Sequence, residues 1–65
     1  MENNIRNIRK NMKLSQEELA NKCGVTRQTI NAIENNKYDP TLTLAFKLSI
    51  HLNTQIENLF FYKEE

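Results

Sequence analysis

The sequence predicts an all-α domain of five short helices. Three observations carry that fold class. Apolar residues recur at three- and four-residue spacing in successive short segments. A Ser or Thr suited to an N-cap precedes four of those segments, at Ser15, Thr26, Thr41 and Thr54. The lone glycine and the lone proline, Gly24 and Pro40, fall between segments rather than inside them. At 65 residues the chain is one domain, residues 1–65, whose core is too small to enclose a catalytic pocket and still leave much margin of stability.

Ile5, Ile8 and Met12 mark a first amphipathic helix from about Asn4 to Met12, with Arg6, Arg9 and Lys10 on its polar side. The stretch Leu14 to Asn35 then reads as two helices joined by a tight turn. Ser15 and Glu18 have capping-box spacing and Leu14 and Leu19 staple spacing, so the second helix starts at Gln16. Thr26 is the next N-cap, with Val25 and Ile30 at staple spacing, so the third helix starts at Arg27. Gly24 supplies the left-handed backbone that the turn requires. Ala20 lets the two helices cross closely, at the roughly 90–120° expected of such a pair, leaving no space for a side chain at the turn. Leu19, Ala20 and Cys23 on one helix and Ile30 and Ile33 on the other close over a shared core.

The run Asn35–Pro40 holds the next helix stop, because Asn tolerates a left-handed cap and Pro40 disfavours helix in the residue before it. Thr41 caps a fourth helix to about Leu52, with Leu42, Ala45, Leu48, Ser49 and Leu52 inward and Phe46 and Ile50 on a neighbouring stripe. Thr54 and Glu57 predict another capping box and a short fifth helix, with Ile56, Leu59 and Phe60 inward. The consecutive aromatics after it favour extended structure.

The third helix leaves Arg27, Gln28 and Asn31 outside. Their forked donors and acceptors are the groups that read base edges, Arg on guanine and Gln or Asn on adenine. Ala32 is too small to hydrogen-bond but can touch a thymine methyl. Taken alone, such residues are the solvated face of an amphipathic helix. Two capped helices around a glycine turn change that reading. Gln16, Leu19, Ala20, Gly24, Val25, Ile30, Ile33 and Glu34 each stand where the Cro and xenobiotic-response-element type of helix-turn-helix regulators carries the same or an equivalent residue. The resemblance to that phage-repressor-like family covers essentially the whole chain. The run RQTINAIENNKYDPTLTLAFKL and the chain length look most like its very short single-domain members, such as the enterococcal cytolysin-operon repressor. It implies a lambda-repressor-like fold with the motif at residues 15–35, an ion pair between Arg9 and Glu34, and a short terminal two-stranded β-ribbon pairing residues near 60–63 with residues 1–4. Phosphate contacts are expected from Gln16, Thr26, Thr29, Asn35 and Lys37, with helix N-terminal N–H groups helping at Gln16 and Thr26.

Charge gives modest support. The net charge is only +1, but residues 1–38 hold seven Lys and Arg against four Glu, while residues 39–65 hold two Lys against four acids. One face can therefore meet phosphates while the acidic end points away. A single cysteine excludes an internal disulfide framework, and Cys23 on an apolar face reads as core rather than redox switch. His51 has no companions at ligand spacing, so no metal site is expected; at a helix end it suits the last carbonyls or a dimer surface. Ser15, His51 and Asp39 are scattered, so no catalytic residues are expected. Neither a cofactor nor a small-molecule ligand is indicated. No stretch is apolar enough to span a bilayer and no apolar signal region opens the chain, so a cytoplasmic location is expected.

The expected function is that of a homodimeric regulator of transcription, repressing by occupying a pseudo-palindromic site on double-stranded DNA. Its dimer surface is expected at Phe46, Ile50, Asn58, Phe61 and Tyr62, which one small core cannot easily absorb. The alternative is a protein-interaction module, antitoxin-like or adaptor-like, on the same scaffold, using Phe46, Ile50, Phe61 and Tyr62. Near-neutral charge is the feature that favours it.

Overall fold

The computed structural model describes residues 1–64. Five helices follow one another: α1 (Ile5–Asn11), α2 (Gln16–Cys23), α3 (Arg27–Glu34), α4 (Leu42–His51) and α5 (Ile56–Leu59). Two strands, β1 (Glu2–Asn3) and β2 (Phe60–Phe61), pair antiparallel with Glu2 opposite Phe61 and Asn3 opposite Phe60. Among the described residues no helix is long and apolar enough to cross a membrane.

Local chemistry sets the helix starts. At Ser15 both halves of the capping box form: the hydroxyl accepts from the Glu18 N–H at 3.0 Å, and the Glu18 carboxylate accepts from the Ser15 N–H at 2.8 Å. Those Ser15 hydrogen bonds also hold the Glu18 carboxyl below its ordinary pKa. Thr26 caps α3 through the Thr29 N–H and Thr41 caps α4 through the Leu44 N–H. The fifth start differs from the sequence expectation. Residue Gln55 precedes α5 without a side-chain cap, and the expected box between Thr54 and Glu57 does not form. The Thr54 hydroxyl donates instead to the Leu52 carbonyl, and the Thr54 carbonyl accepts from the Ser49 hydroxyl at 2.6 Å. Closing α4 takes precedence over opening α5.

Helices α1 to α4 end in one way. A left-handed residue, Lys13, Gly24, Asn36 or Asn53, donates its N–H three residues back, and the next N–H reaches the carbonyl five residues back. In α3, for example, Asn36 donates to the Ile33 carbonyl and Lys37 to that of Ala32, at 3.1 and 2.9 Å. These are Schellman closures, which satisfy carbonyls that would otherwise be orphaned and turn the chain within two residues. Gly24 sits at φ 70, as the turn argument requires. Its surroundings are open, however: a Cβ added there would meet nothing within 4 Å, so the expectation of no space between α2 and α3 is wrong and backbone strain alone selects glycine.

The core gathers one side of each helix. Ile5, Leu19, Ala20, Cys23, Ile30, Ile33, Leu44, Leu48, Leu52 and Leu59 are buried together, with Ile8, Leu14, Val25 and Phe60 packed against them. Burial raises the Cys23 thiol pKa, as suits a core residue, with nearby Lys47 opposing it weakly. On α4 the inward face is rotated from the predicted one. Leu44 and Ala45 are buried, whereas Leu42 is 72 % exposed and Ser49 is half-buried. At 100° per residue, the buried Leu44, Leu48 and Leu52 define a stripe that turns Leu42 toward the side of Phe46 and Ile50. Met12, which follows α1, also lies outside.

Because strain rather than crowding holds Gly24, Gly24→Val should destabilise the domain by more than about 1 kcal/mol, and Gly24→Asn by less, since asparagine tolerates positive φ. Urea denaturation of both variants checks this. Equal losses, or none, would remove the strain argument.

Candidate nucleic-acid interface

Helix α3 divides into two faces. Ile30, Ile33 and Glu34 are buried, while Arg27, Gln28 and Asn31 are exposed and Ala32 and Thr29 lie half-buried at the border. The Thr26 cap fixes the first turn: its hydroxyl accepts from the Thr29 N–H at 3.3 Å and lies 3.1 Å from the Thr29 hydroxyl. The cap takes the Thr29 N–H, while the N–H groups of Arg27 and Gln28 have no intrahelical partner, so the helix presents these donors and the positive end of its dipole beside Arg27.

A buried carboxylate sets the rotation of this helix. The side chain of Glu34 is fully buried. It accepts from Arg9 Nε at 2.8 Å and Arg9 Nη2 at 3.2 Å, from Gln16 Nε2 at 3.1 Å and from Arg6 Nε at 3.3 Å. Arg9, itself buried, completes its pairing by donating from Nη1 to the Leu14 carbonyl at 2.8 Å. Helices α1, α2 and α3 thus meet on one side chain, and the Arg9–Glu34 pair implied by the resemblance is present. Burial by itself would raise the Glu34 pKa, but the hydrogen bonds and charge of Arg9, with hydrogen bonds from Gln16 and Arg6, outweigh it and hold the carboxyl below its ordinary 4.5.

The same contacts revise the place of Gln16. Expected at the phosphates, it is half-buried, its amide N–H given to Glu34 and its oxygen facing Asn31 Nδ2 at 3.5 Å. One amide hydrogen remains unengaged. Asn35 and Lys37 are exposed just beyond α3, as expected. Arg6 was not among the predicted site residues. Its guanidinium is partly exposed beside Glu34 and donates to Asn35 Oδ1 at 2.9 Å, which places it at the rim of the face. Its membership of the basic side of α1 was the available signal.

The opposite end of α3 is held by the terminal ribbon. Asn3 Nδ2 donates to the Ile33 carbonyl at 2.8 Å, and Asn3 Oδ1 accepts from the Ile5 N–H at 3.1 Å. The Asn4 N–H donates to the Leu59 carbonyl at 2.9 Å. The predicted dimer residues Phe46, Ile50, Asn58, Phe61 and Tyr62 are all exposed, with Leu42 beside them. His51 is half-buried in the last turn of α4. Among the described residues no group of three or more His, Cys, Asp and Glu stands together.

A family model described as helix-turn-helix matches residues 5–59. An uncharacterised HTH-type transcriptional regulator of Methanocaldococcus jannaschii is 48 % identical over 65 residues, covering 100 % of this chain and 98 % of its own. Among solved structures, the restriction-modification controller protein C.AhdI from Aeromonas hydrophila superposes with a TM-score of 0.80 at 30 % identity, over 86 % of this chain and 85 % of that one. SinR of Bacillus subtilis, the master regulator for biofilm formation, solved in complex with DNA, superposes with a TM-score of 0.73 at 32 % identity, over 80 % of this chain and 84 % of that one.

Removing the Glu34 carboxylate leaves Arg9 buried without a counter-charge, so Glu34→Ala should cost about 3–5 kcal/mol, against about 0–1 for Arg6→Ala at the solvent edge. With the Glu34 pKa lowered in the folded state, its contribution is complete above pH 4.5 and is lost as pH falls from there through the folded value. Denaturation midpoints from pH 7 down to pH 3 check both parts. A Glu34→Ala variant with wild-type stability and wild-type acid sensitivity would contradict them.

Proposed function

This chain belongs to the helix-turn-helix family and is a DNA-binding transcriptional regulator, and we propose that it represses as a homodimer occupying a pseudo-palindromic operator. The observation that carries the reading is the polarity of α3: Arg27, Gln28 and Asn31 face solvent while Ile30, Ile33 and Glu34 lock the other side into the core. In the proposed complex that outer face enters the major groove. Arg27 pairs with guanine, Gln28 and Asn31 take adenine edges, and Ala32 meets a thymine methyl. Thr26, Thr29, Asn35 and Lys37, with the remaining amide hydrogen of Gln16, hold the phosphates and so fix the register. The likeness to a regulator solved with DNA supports this placement. The role is binding rather than catalysis, exercised in the cytoplasm where the DNA lies.

Dimerisation follows from a shortage of specificity. One helix offers about three reading side chains, and at about 1–3 kcal/mol of discrimination per good bidentate pair that is too little to single out one operator among ~10⁶ competing sites. Two-fold symmetry doubles the reader. Leu42, Phe46 and Ile50 form an exposed apolar row at four-residue spacing along α4, and Phe61 and Tyr62 stand exposed at the ribbon. Exposed aromatic and aliphatic side chains in such number on a 65-residue domain suit a surface covered by a second copy. Inverted half-sites one helical turn apart, about 10 bp, then match the protein symmetry.

Titration of generic duplex at two salt concentrations tests the reading, because released counterions make affinity fall steeply with salt. Within it, Arg27→Ala should relax base preference at one position per half-site and cost about 1–3 kcal/mol, whereas Lys37→Ala should weaken all sequences alike and reduce the salt slope by about one unit. Affinity indifferent to salt would favour the protein-interaction module instead. Phe61→Ser with Tyr62→Ser should give a monomer by light scattering that binds DNA poorly. A unmodified protein that is monomeric at micromolar concentration and binds a lone half-site as tightly as the full site would rule out the dimer.

A further inference from the structure

Across the outer face runs a hydrogen-bonded relay with a fixed direction. Arg6 Nη2 donates to Asn35 Oδ1 at 2.9 Å; Asn35 Nδ2 donates to the Asn31 carbonyl at 2.9 Å and to Asn31 Oδ1 at 3.3 Å. Asn31 Nδ2 faces Gln16 Oε1 at 3.5 Å, and Gln16 Nε2 donates to Glu34 Oε1 at 3.1 Å. Arg6 closes the loop by donating from Nε to the same Glu34 oxygen at 3.3 Å. A guanidinium can only donate and a carboxylate can only accept, so the two ends dictate the orientation of all three amides between them. Turning the Asn31 amide over would set its NH2 against that of Asn35, and turning Asn35 as well would set an NH2 against the guanidinium.

We propose that Arg6 is a positioning residue for base reading, presetting the Asn31 amide through Asn35. This rests on the reading above in which Asn31 contacts a base. The relay uses one N–H and one lone pair of the exposed Asn31 amide and leaves the other N–H and the other lone pair unengaged, the donor and acceptor that a bidentate contact to adenine requires. The partners are ordered before DNA arrives, so less side-chain freedom is lost on binding. A free asparagine would present either edge. The polarity imposed from Arg6 therefore contributes to which base is preferred, although Arg6 itself touches none.

The test measures affinity for duplexes differing at single base pairs, using the wild type, Asn31→Ala, Arg6→Ala and the double variant. Asn31→Ala is expected to abolish roughly 5–150-fold of preference at one position per half-site. Arg6→Ala is expected to remove a part of that same preference, on the order of 3–10-fold, and to change nothing further there when Asn31 is already alanine. Loss of the Arg6 charge as such lowers affinity for every sequence alike and leaves the preference ratio unmoved. Should Arg6→Ala unfold the domain, Asn35→Ala breaks the relay at an exposed position without removing a partner of Glu34, and is expected to give the same selective loss on top of a uniform loss from its phosphate contact, which leaves the preference ratio unmoved. In the free protein, the Asn31 side-chain amide signals in NMR should move on either substitution. A preference lost in Asn31→Ala but retained in Arg6→Ala and Asn35→Ala, or unmoved Asn31 amide signals, overturns the proposal alone. Preferences that survive Asn31→Ala overturn the base reading and the proposal with it.

Discussion

The buried carboxylate of Glu34 is the constraint on which the rest of the molecule depends. A charged group out of water costs several kcal/mol unless its partners are complete, and here completeness requires three helices at once: Arg9 and Arg6 from α1, Gln16 from α2 and Glu34 itself from α3. An apolar cluster tolerates rotation of a helix by some tens of degrees; a carboxylate whose acceptor positions are assigned to named donors does not. The ion pair thus fixes the rotation of α3, and rotation decides which side chains point outward. Such a pair need not add net stability relative to a well-packed apolar replacement. Its consequence is orientation.

The second hold is at the far end of α3. Asn3, carried by the ribbon that joins the two ends of the chain, donates to the Ile33 carbonyl, which also takes the Asn36 N–H. Glu34 and the Schellman closure at Asn36 complete that end. Helix α3 is therefore restrained by α1, α2 and the ribbon while one face stays free. Phe61 of the ribbon and the adjoining Tyr62 belong to the surface proposed for dimerisation, so the same short segment steadies α3 and lies where two copies would meet.

Legibility in the sequence followed the range of the interactions. Caps at Ser15, Thr26 and Thr41 and the turn at Gly24 are decided within five residues, and the structure places the helix starts where those residues predict them. The Arg9–Glu34 pair spans 25 positions and came from family resemblance, not from spacing. Failures occurred where tertiary packing arbitrated. Leu42 and Leu44 are equally apolar, and only the directions of α2 and α5 decide which is buried. Thr54 and Glu57 have capping-box spacing, but the hydroxyl is engaged by the end of α4. Lys13 in a left-handed conformation has no local signature, since lysine gains nothing there; the closure onto Arg9 and Lys10 imposes it. At the candidate interface the exposed residues were readable from helical periodicity. The place of Arg6, and the turning of Gln16 toward Glu34, were not, because each depends on where a distant helix puts its side chains.

Selection of bound duplexes from a random pool is the most direct test of a single helix, fixed in rotation by Glu34 and doubled by two-fold symmetry. The expected outcome is an enriched pair of inverted half-sites with centres about 10 bp apart, each carrying a short run of specified bases. Enrichment of a lone unpaired site, of direct repeats, or of nothing above the starting pool would contradict it.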